Sequence, residues 1–144
     1  MSEGINFSDS LGRCVVIVGL PFPNIMSAEW KAKIEYIETS TLERLQKNEE
    51  SASWTEKERI AKAKEEGREY YENACMRAVN QSVGRAIRHK GDYASILMFD
   101  QRFAGERIRG KLPGWIKEGL VEGAGDKSFG MLMGRLGSFY RSKR

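Results

Sequence analysis

The run "CVVIVGL" from Cys14 to Leu20 constrains this chain more than any other stretch. Its nearly continuous apolar, β-branched character predicts a strand covered on both faces, as in the parallel sheets of α/β folds, because a half-wetted strand alternates instead. At seven residues it falls far short of the ~20 apolar residues that a membrane span needs. A second run, "YASILMFD" from Tyr93 to Asp100, predicts a second buried strand. Two such runs with helical patterns between and after them give an α/β fold class, a parallel sheet flanked by helices.

Between the strands the pattern changes twice. "PFPN" ends the first strand, and "SAEWKAKIEYIE" opens on Ser27, a good helix cap, with Trp30, Ile34 and Ile37 at helical spacing. From about 40 to 70 the chain turns to Glu, Lys, Arg and Gln, with few apolar anchors beyond Leu42, Leu45, Trp54 and Ile60. That tract is expected to be a charged, partly helical and partly mobile insertion, pinned by Trp54, and a solvated connection rather than a second domain. "ACMRAVNQSVGRAIRH" then predicts a helix from Ala74 to His89 with Met76, Val79, Val83 and Ile87 on its apolar side. After the second strand, Arg102, Arg107, Arg109 and Lys111 crowd a loop that closes on a short helix bearing Trp115. The tail, about 127–141, places Phe129, Met133, Leu136 and Phe139 or Tyr140 at helical spacing and reads as a docking helix ending in a basic fray.

A chain of 144 residues with 40% hydrophobic content has the makings of one domain. Its polar start, "MSEGINFSDS", is unlike a signal peptide and leads straight into the strand, so the chain is expected to begin inside a folded unit, as a fragment. Cys14 and Cys75 lie far apart in apolar surroundings, and His89 is the single histidine; this is not metal spacing, and two reduced core thiols of an intracellular protein are expected. Residues 1–76 hold 10 basic and 14 acidic side chains, whereas 77–144 hold 14 and 6. The second half, at +8 against −4, invites an anionic partner such as nucleic acid or nucleotide.

The candidate chemistry lies in "QSVGRAIRH", Gln81 to His89. On a helix of ~3.6 residues per turn, Gln81, Gly84, Arg85 and Arg88 share one stripe, and Gly84 leaves room for a ligand. Such a stripe can grip phosphate or serve as a solvated basic face. The chain lacks a phosphate loop of its own. The nearest candidate, "GAGDKS" at Gly123 to Ser128, has Asp126 where the loop requires glycine before lysine, and the carboxylate would repel phosphate. His89 has no serine and acid arranged around it and fits a cation at a helix C-terminus. What the residues do allow is donation of arginines in trans to a nucleotide held by another domain, with Gln81 orienting the attacking water or touching the terminal phosphate.

"QSVGRAIRH" resembles motif VI of superfamily 2 helicases, Q-x-x-G-R-x-x-R, and "SEGINF" at Ser2 to Phe7 resembles their motif V. "GRCVVIVGLPFPN" from Gly12, "DYASILMFDQRF" from Asp92 and "KLPGWI" from Lys111 continue the order found in XPD-type iron-sulphur DEAH-box DNA helicases. Together these landmarks cover about two thirds of the chain. "MSEGINFSD" and "GLPFPN" are most similar to the ChlR-like, sister-chromatid-cohesion branch. Many other XPD-type helicases carry Asp where this chain has Asn6, so no acid role is carried to position 6.

The resemblance implies a partial RecA-like fold, the C-terminal portion of the second motor domain, with motif V at 2–7 and motif VI at 81–88. It implies an ATP-dependent DNA helicase in which Gln81, Arg85 and Arg88 are catalytic and reach the ATP γ-phosphate. Glu3, Gly4 and Gly84 join them in binding ATP, and Ser2, Asn6, Arg102, Arg107, Arg109 and Lys111 touch DNA. The Walker loop, the DEAH box and the iron-sulphur cluster belong, on this reading, to a first motor domain outside the chain. ATP with Mg and that cluster are therefore cofactors of the full enzyme, with no metal bound by this segment, which should not hydrolyse ATP alone. The implied partners are DNA, the first motor domain and cohesion or replication factors, with no membrane and a nuclear location. Two other readings are a truncated, non-catalytic remnant serving as a binding or interaction module, and a basic nucleic-acid-binding module unrelated to motors.

Overall fold

The computed structural model describes residues 12–87, 91–121 and 128–143. They form two compact units, one spanning Leu20–Val79 and the other built from the residues up to Gly19 and from Asn80 onward.

The second of these holds the sheet. Strand β1 (Cys14–Val18) pairs in parallel with β2 (Ser95–Phe99), Cys14 opposite Ser95 and Val18 opposite Phe99. Both predicted strands form, and the α/β class holds. The expectation that β1 is covered on both faces does not. Ile17 is buried, while Cys14, Val16 and Val18 on the opposite face are exposed, Val18 at 81%. Side chains alternate across a strand, so covering one face buries every second residue. Cys14 is consequently an exposed thiol rather than a core one, whereas Cys75 is fully buried.

Beyond β2, Asp100 caps a 3-10 turn (Gln101–Ala104), followed by the single-turn α3 (Glu106–Arg109) and α4 (Gly114–Glu118). Phe103, Leu112 and Ile116 are buried here, while Trp115 is exposed. Helix α5 (Phe129–Arg141) closes the unit. Its apolar row does not dock along its length as the spacing predicts: Phe129 and Met133 are exposed, Leu136 is half-buried, and Phe139 and Tyr140 make ring and hydrogen-bond contacts. Among the described residues no helix is long and apolar enough to cross a membrane.

The other unit is a helical hairpin. Helix α1 (Ala28–Lys47) begins where predicted, with Ser27 Oγ accepting from the Trp30 N–H at 3.3 Å. The chain passes through a 3-10 turn (Glu49–Ser51) into α2 (Glu56–Val83). The stretch read as a partly mobile connection is therefore helical nearly throughout. A capping box starts α2: Thr55 Oγ1 accepts from the Glu58 N–H at 3.3 Å, and the Glu58 carboxylate accepts from the Thr55 N–H at 2.7 Å. Trp54, at 37% exposed, is not the pin. Ser51 is, its buried hydroxyl donating to the Leu45 carbonyl at 2.6 Å.

Small and polar groups hold the two helices together where apolar anchors are scarce. At Gly67 an added Cβ would lie 3.0 Å from Glu38 Cγ and 3.3 Å from Ile34 Cγ2, so the helices approach closely only because nothing projects there. Nearby, Glu66 accepts from the Thr41 hydroxyl at 2.9 Å and from Arg44 at 2.8 and 2.9 Å. Trp30 packs its ring against Tyr70 and Tyr71, and the Tyr71 hydroxyl donates to the Pro23 carbonyl at 2.6 Å.

Burial disfavours the charged form of Glu66, but the Thr41 hydroxyl and the Arg44 guanidinium outweigh it and hold the pKa below the usual 4.5. A carboxyl with a lowered folded-state pKa adds stability above its unfolded value, and that stability is lost as pH falls through the folded value. Acid titration from pH 5 downward should accordingly weaken the hairpin. Glu66→Gln should flatten that part of the stability profile, as followed by amide exchange across α1 and α2.

Candidate arginine-donor site

The apolar face of α2 sets the site. Met76, Val79 and Val83 are buried as their spacing predicts, which turns Gln81 outward. The helix stops earlier than predicted, at Val83 rather than His89. The Gly84 N–H still donates to the Asn80 carbonyl at 2.9 Å, but the Ala86 N–H bonds back only three residues, to Val83 at 3.0 Å. The last turn thus tightens as helix ends commonly do. Gly84 is poorly suited to extend it, since glycine gains backbone freedom by leaving a helix.

Arg85 therefore sits on a turn just past the helix. Gln81 and Gly84 are exposed and Arg85 partly so, whereas Val83 and Ala86 are buried. The described members of the stripe share an outward side over a packed apolar ridge. An added Cβ at Gly84 would approach the Asn80 carbonyl at 3.2 Å. Arg88 and His89 lie outside the described residues, as do Ser2, Glu3, Gly4 and Asn6 of the motif V stretch and most of "GAGDKS".

The basic cluster is not uniform. Asp100 accepts from Arg102 three times: from its backbone N–H at 2.9 Å, from Nε at 2.9 Å and from Nη2 at 2.6 Å. The fork of Arg102, itself 55% exposed, is thus directed at a carboxylate that is only 13% exposed, just beyond β2. Arg107 is exposed, while Arg109 and Lys111 are half-buried on and just beyond α3.

One cluster has no counterpart in the sequence patterns. Arg13, just before β1, forms an ion pair with Asp92, donates to the Tyr93 carbonyl at 3.0 Å and lies 4.1 Å above the Tyr93 ring centroid. Tyr140 of α5 donates to the Arg13 carbonyl and meets Ser95 Oγ at 2.6 Å. These groups are 79 and 127 residues apart, so no local spacing signals them.

Among the described residues, no three His, Cys, Asp or Glu side chains gather where they could hold a metal ion. The two cysteines lie in different units, and the donor set for an iron-sulphur cluster is not found among them.

The sequence matches the Helicase C-terminal domain family over residues 1–119. It is 51% identical, across its whole length, to the ATP-dependent DNA helicase CHL1 of Sclerotinia sclerotiorum, and 52% identical over 99% of its length to that of Aspergillus fumigatus. The counterpart in Schizosaccharomyces pombe is 44% identical across the whole chain. The chain spans 19%, 17% and 15% of these proteins. Identity of this depth along the full chain bears out the resemblance to the ChlR-like branch of XPD-type helicases. With the parallel strands and the family match over most of its length, the chain belongs to the Helicase C-terminal domain family.

Proposed function

We propose that this chain is the C-terminal part of the second motor domain of an ATP-dependent DNA helicase, and that it donates Arg85 and Arg88, with Gln81, to the γ-phosphate of an ATP held by the first motor domain. The observation that carries this reading is the outward side of Gln81, Gly84 and Arg85 over the buried ridge of Val79, Val83 and Ala86. A packed ridge fixes the base of these side chains while leaving their ends free to reach a partner surface. Closing the two motor domains on ATP would bring the guanidinium groups to the phosphate, and hydrolysis would release them, moving the grip along one DNA strand. The test is ATP turnover by the full-length enzyme with Arg88 replaced.

Glu3 and Gly4 of motif V, with Gly84, would complete the nucleotide contacts, and Ser2 and Asn6 would face the DNA backbone. Magnesium would come with the nucleotide, and the iron-sulphur cluster, which takes four cysteines where this sequence has two, would be held by the first motor domain. Work in sister-chromatid cohesion and DNA repair in the nucleus, alongside cohesion or replication factors, is the cellular setting that the resemblance supports.

Arg102, Arg107, Arg109 and Lys111 are proposed to line the DNA track. Each cation that neutralises a phosphate of single-stranded DNA adds ~0.7 to the slope of log affinity against log salt. Arg109→Gln in the full enzyme should weaken binding to single-stranded DNA and lower that slope by about 0.7, as measured by anisotropy across a salt series.

A further inference from the structure

We infer that Trp115, exposed on α4, is a stacking platform for a base of single-stranded DNA, set among the cations that would hold the phosphates of that strand. The inference rests on the function proposed above and adds a base contact to its DNA track.

The ring is conspicuously unpacked. Trp30 packs against Tyr70 and Tyr71, whereas Trp115 is 46% exposed and, among the described residues, no aromatic ring or cation lies against it. Its neighbours impose that exposure. Leu112 and Ile116, four residues apart and 3% and 4% exposed, define the packed side of the stretch, and Trp115 lies off that side.

The base beneath the ring is well tied. The Pro113 carbonyl accepts from the Ile116 and Lys117 N–H groups at 3.0 and 3.1 Å, and the Gly119 N–H donates to the Ile116 carbonyl at 3.1 Å. Lys117 Nζ donates to the Gly110 carbonyl at 3.2 Å, which fastens α4 to the residue between Arg109 and Lys111. A Cβ added at Gly114, next to Trp115, would meet nothing within 4 Å, so the approach beside the ring is open.

Charge points to the same ligand. From Gln101 to Glu118 the basic residues are Arg102, Arg107, Arg109, Lys111 and Lys117, against Glu106 and Glu118. Cations alone hold phosphates, and an acidic peptide would satisfy them while leaving the ring unused. A single strand satisfies both, because its bases are unpaired and every base has a face that stacks on an aromatic ring whatever the sequence. In a duplex the base faces are already stacked on one another, so the pairing of ring and charge favours the single strand.

The test uses the full-length helicase and a labelled oligothymidylate, with anisotropy followed across a salt series. Trp115→Ala should weaken binding about 5- to 100-fold at every salt concentration, the range for a lost base stack. The slope of log affinity against log salt should stay as in the parent, because the ring neutralises no phosphate. Trp115→Tyr keeps a ring that can stack and should bind within about threefold of the parent. On an oligomer of abasic residues, which retains the phosphates and lacks the bases, the parent and Trp115→Ala should bind equally. Unchanged affinity of Trp115→Ala for oligothymidylate would overturn the inference and leave the ring to a protein partner. An equal loss in Trp115→Tyr, or an equal loss on the abasic strand, would also overturn it, since either would trace to the fold rather than to stacking. Arg109→Gln keeps the two readings apart: a loss there with none in Trp115→Ala removes the stacking role and leaves the DNA track standing, whereas no loss in either variant removes both. Normal ATP turnover in Arg85→Ala would instead overturn the proposed function.

Discussion

Arg88→Ala in the full-length helicase should lower DNA-stimulated ATP hydrolysis by about 10³-fold or more, the range over which an arginine finger stabilises charge on a phosphoryl group in transfer. The first motor domain supplies the nucleotide pocket on this reading, so affinity for ATP should change far less than turnover. Arg88→Lys is expected to recover only a small part of the loss. A lysine ammonium keeps the charge, but it cannot reproduce the planar fork that spans two oxygens. Steady-state turnover and binding of a labelled ATP analogue separate the two quantities. Turnover of the alanine variant within about threefold of the parent would remove Arg88 from the mechanism.

The second large effect concerns stability. Asp92 is only 4% exposed and pairs with Arg13, itself 25% exposed. Removing the carboxylate of this part-buried pair leaves the Arg13 charge with only the Tyr93 carbonyl and ring, at a cost of about 2 kcal/mol. Asp92→Ala should therefore lower the urea midpoint of the sheet-bearing unit, read by pulse proteolysis of the full-length protein, by about 1 M or more. Glu29→Ala, which breaks the exposed Glu29–Lys33 pair on α1, should leave that midpoint unchanged. Equal shifts for the two variants would show that the Arg13–Asp92 pair has no special weight.

The elements written in local patterns were legible in the sequence. The two strands, the Ser27 cap and the buried row of Met76, Val79 and Val83 all follow from periodicity and capping chemistry. The first half of α2 is legible only as partly helical because the hairpin packs on Ala63 and Gly67 and on the Glu66–Arg44–Thr41 bonds, none of which shows as an apolar stripe. A usable signal was present in the capping box Thr55 to Glu58, followed by a run rich in Glu, Lys, Arg and Ala, all good helix formers. The exposed face of β1 escaped because a continuous apolar run fixes both faces as apolar without showing which of them is covered.

The candidate site divides in the same way. Gln81, Gly84 and Arg85 were found by motif, and their outward side follows from the apolar ridge behind them. The Asp100–Arg102 brace was half visible as a charged pair two residues apart. The joint of Arg13, Asp92 and Tyr140 depends on residues brought together from across the chain, and only the fold reveals it.

The central claim is that this segment completes an active site on a nucleotide it does not hold. Its most direct test is a structure of the full-length helicase with ADP, magnesium and a fluoride mimic of the transferring phosphoryl group. The account predicts guanidinium nitrogens of Arg85 and Arg88 within about 3 Å of the fluorides, the distance of a charge-assisted hydrogen bond. A closed complex in which both guanidinium groups lie more than about 6 Å from the mimic, beyond the reach of such a bond even with small adjustments, would contradict it.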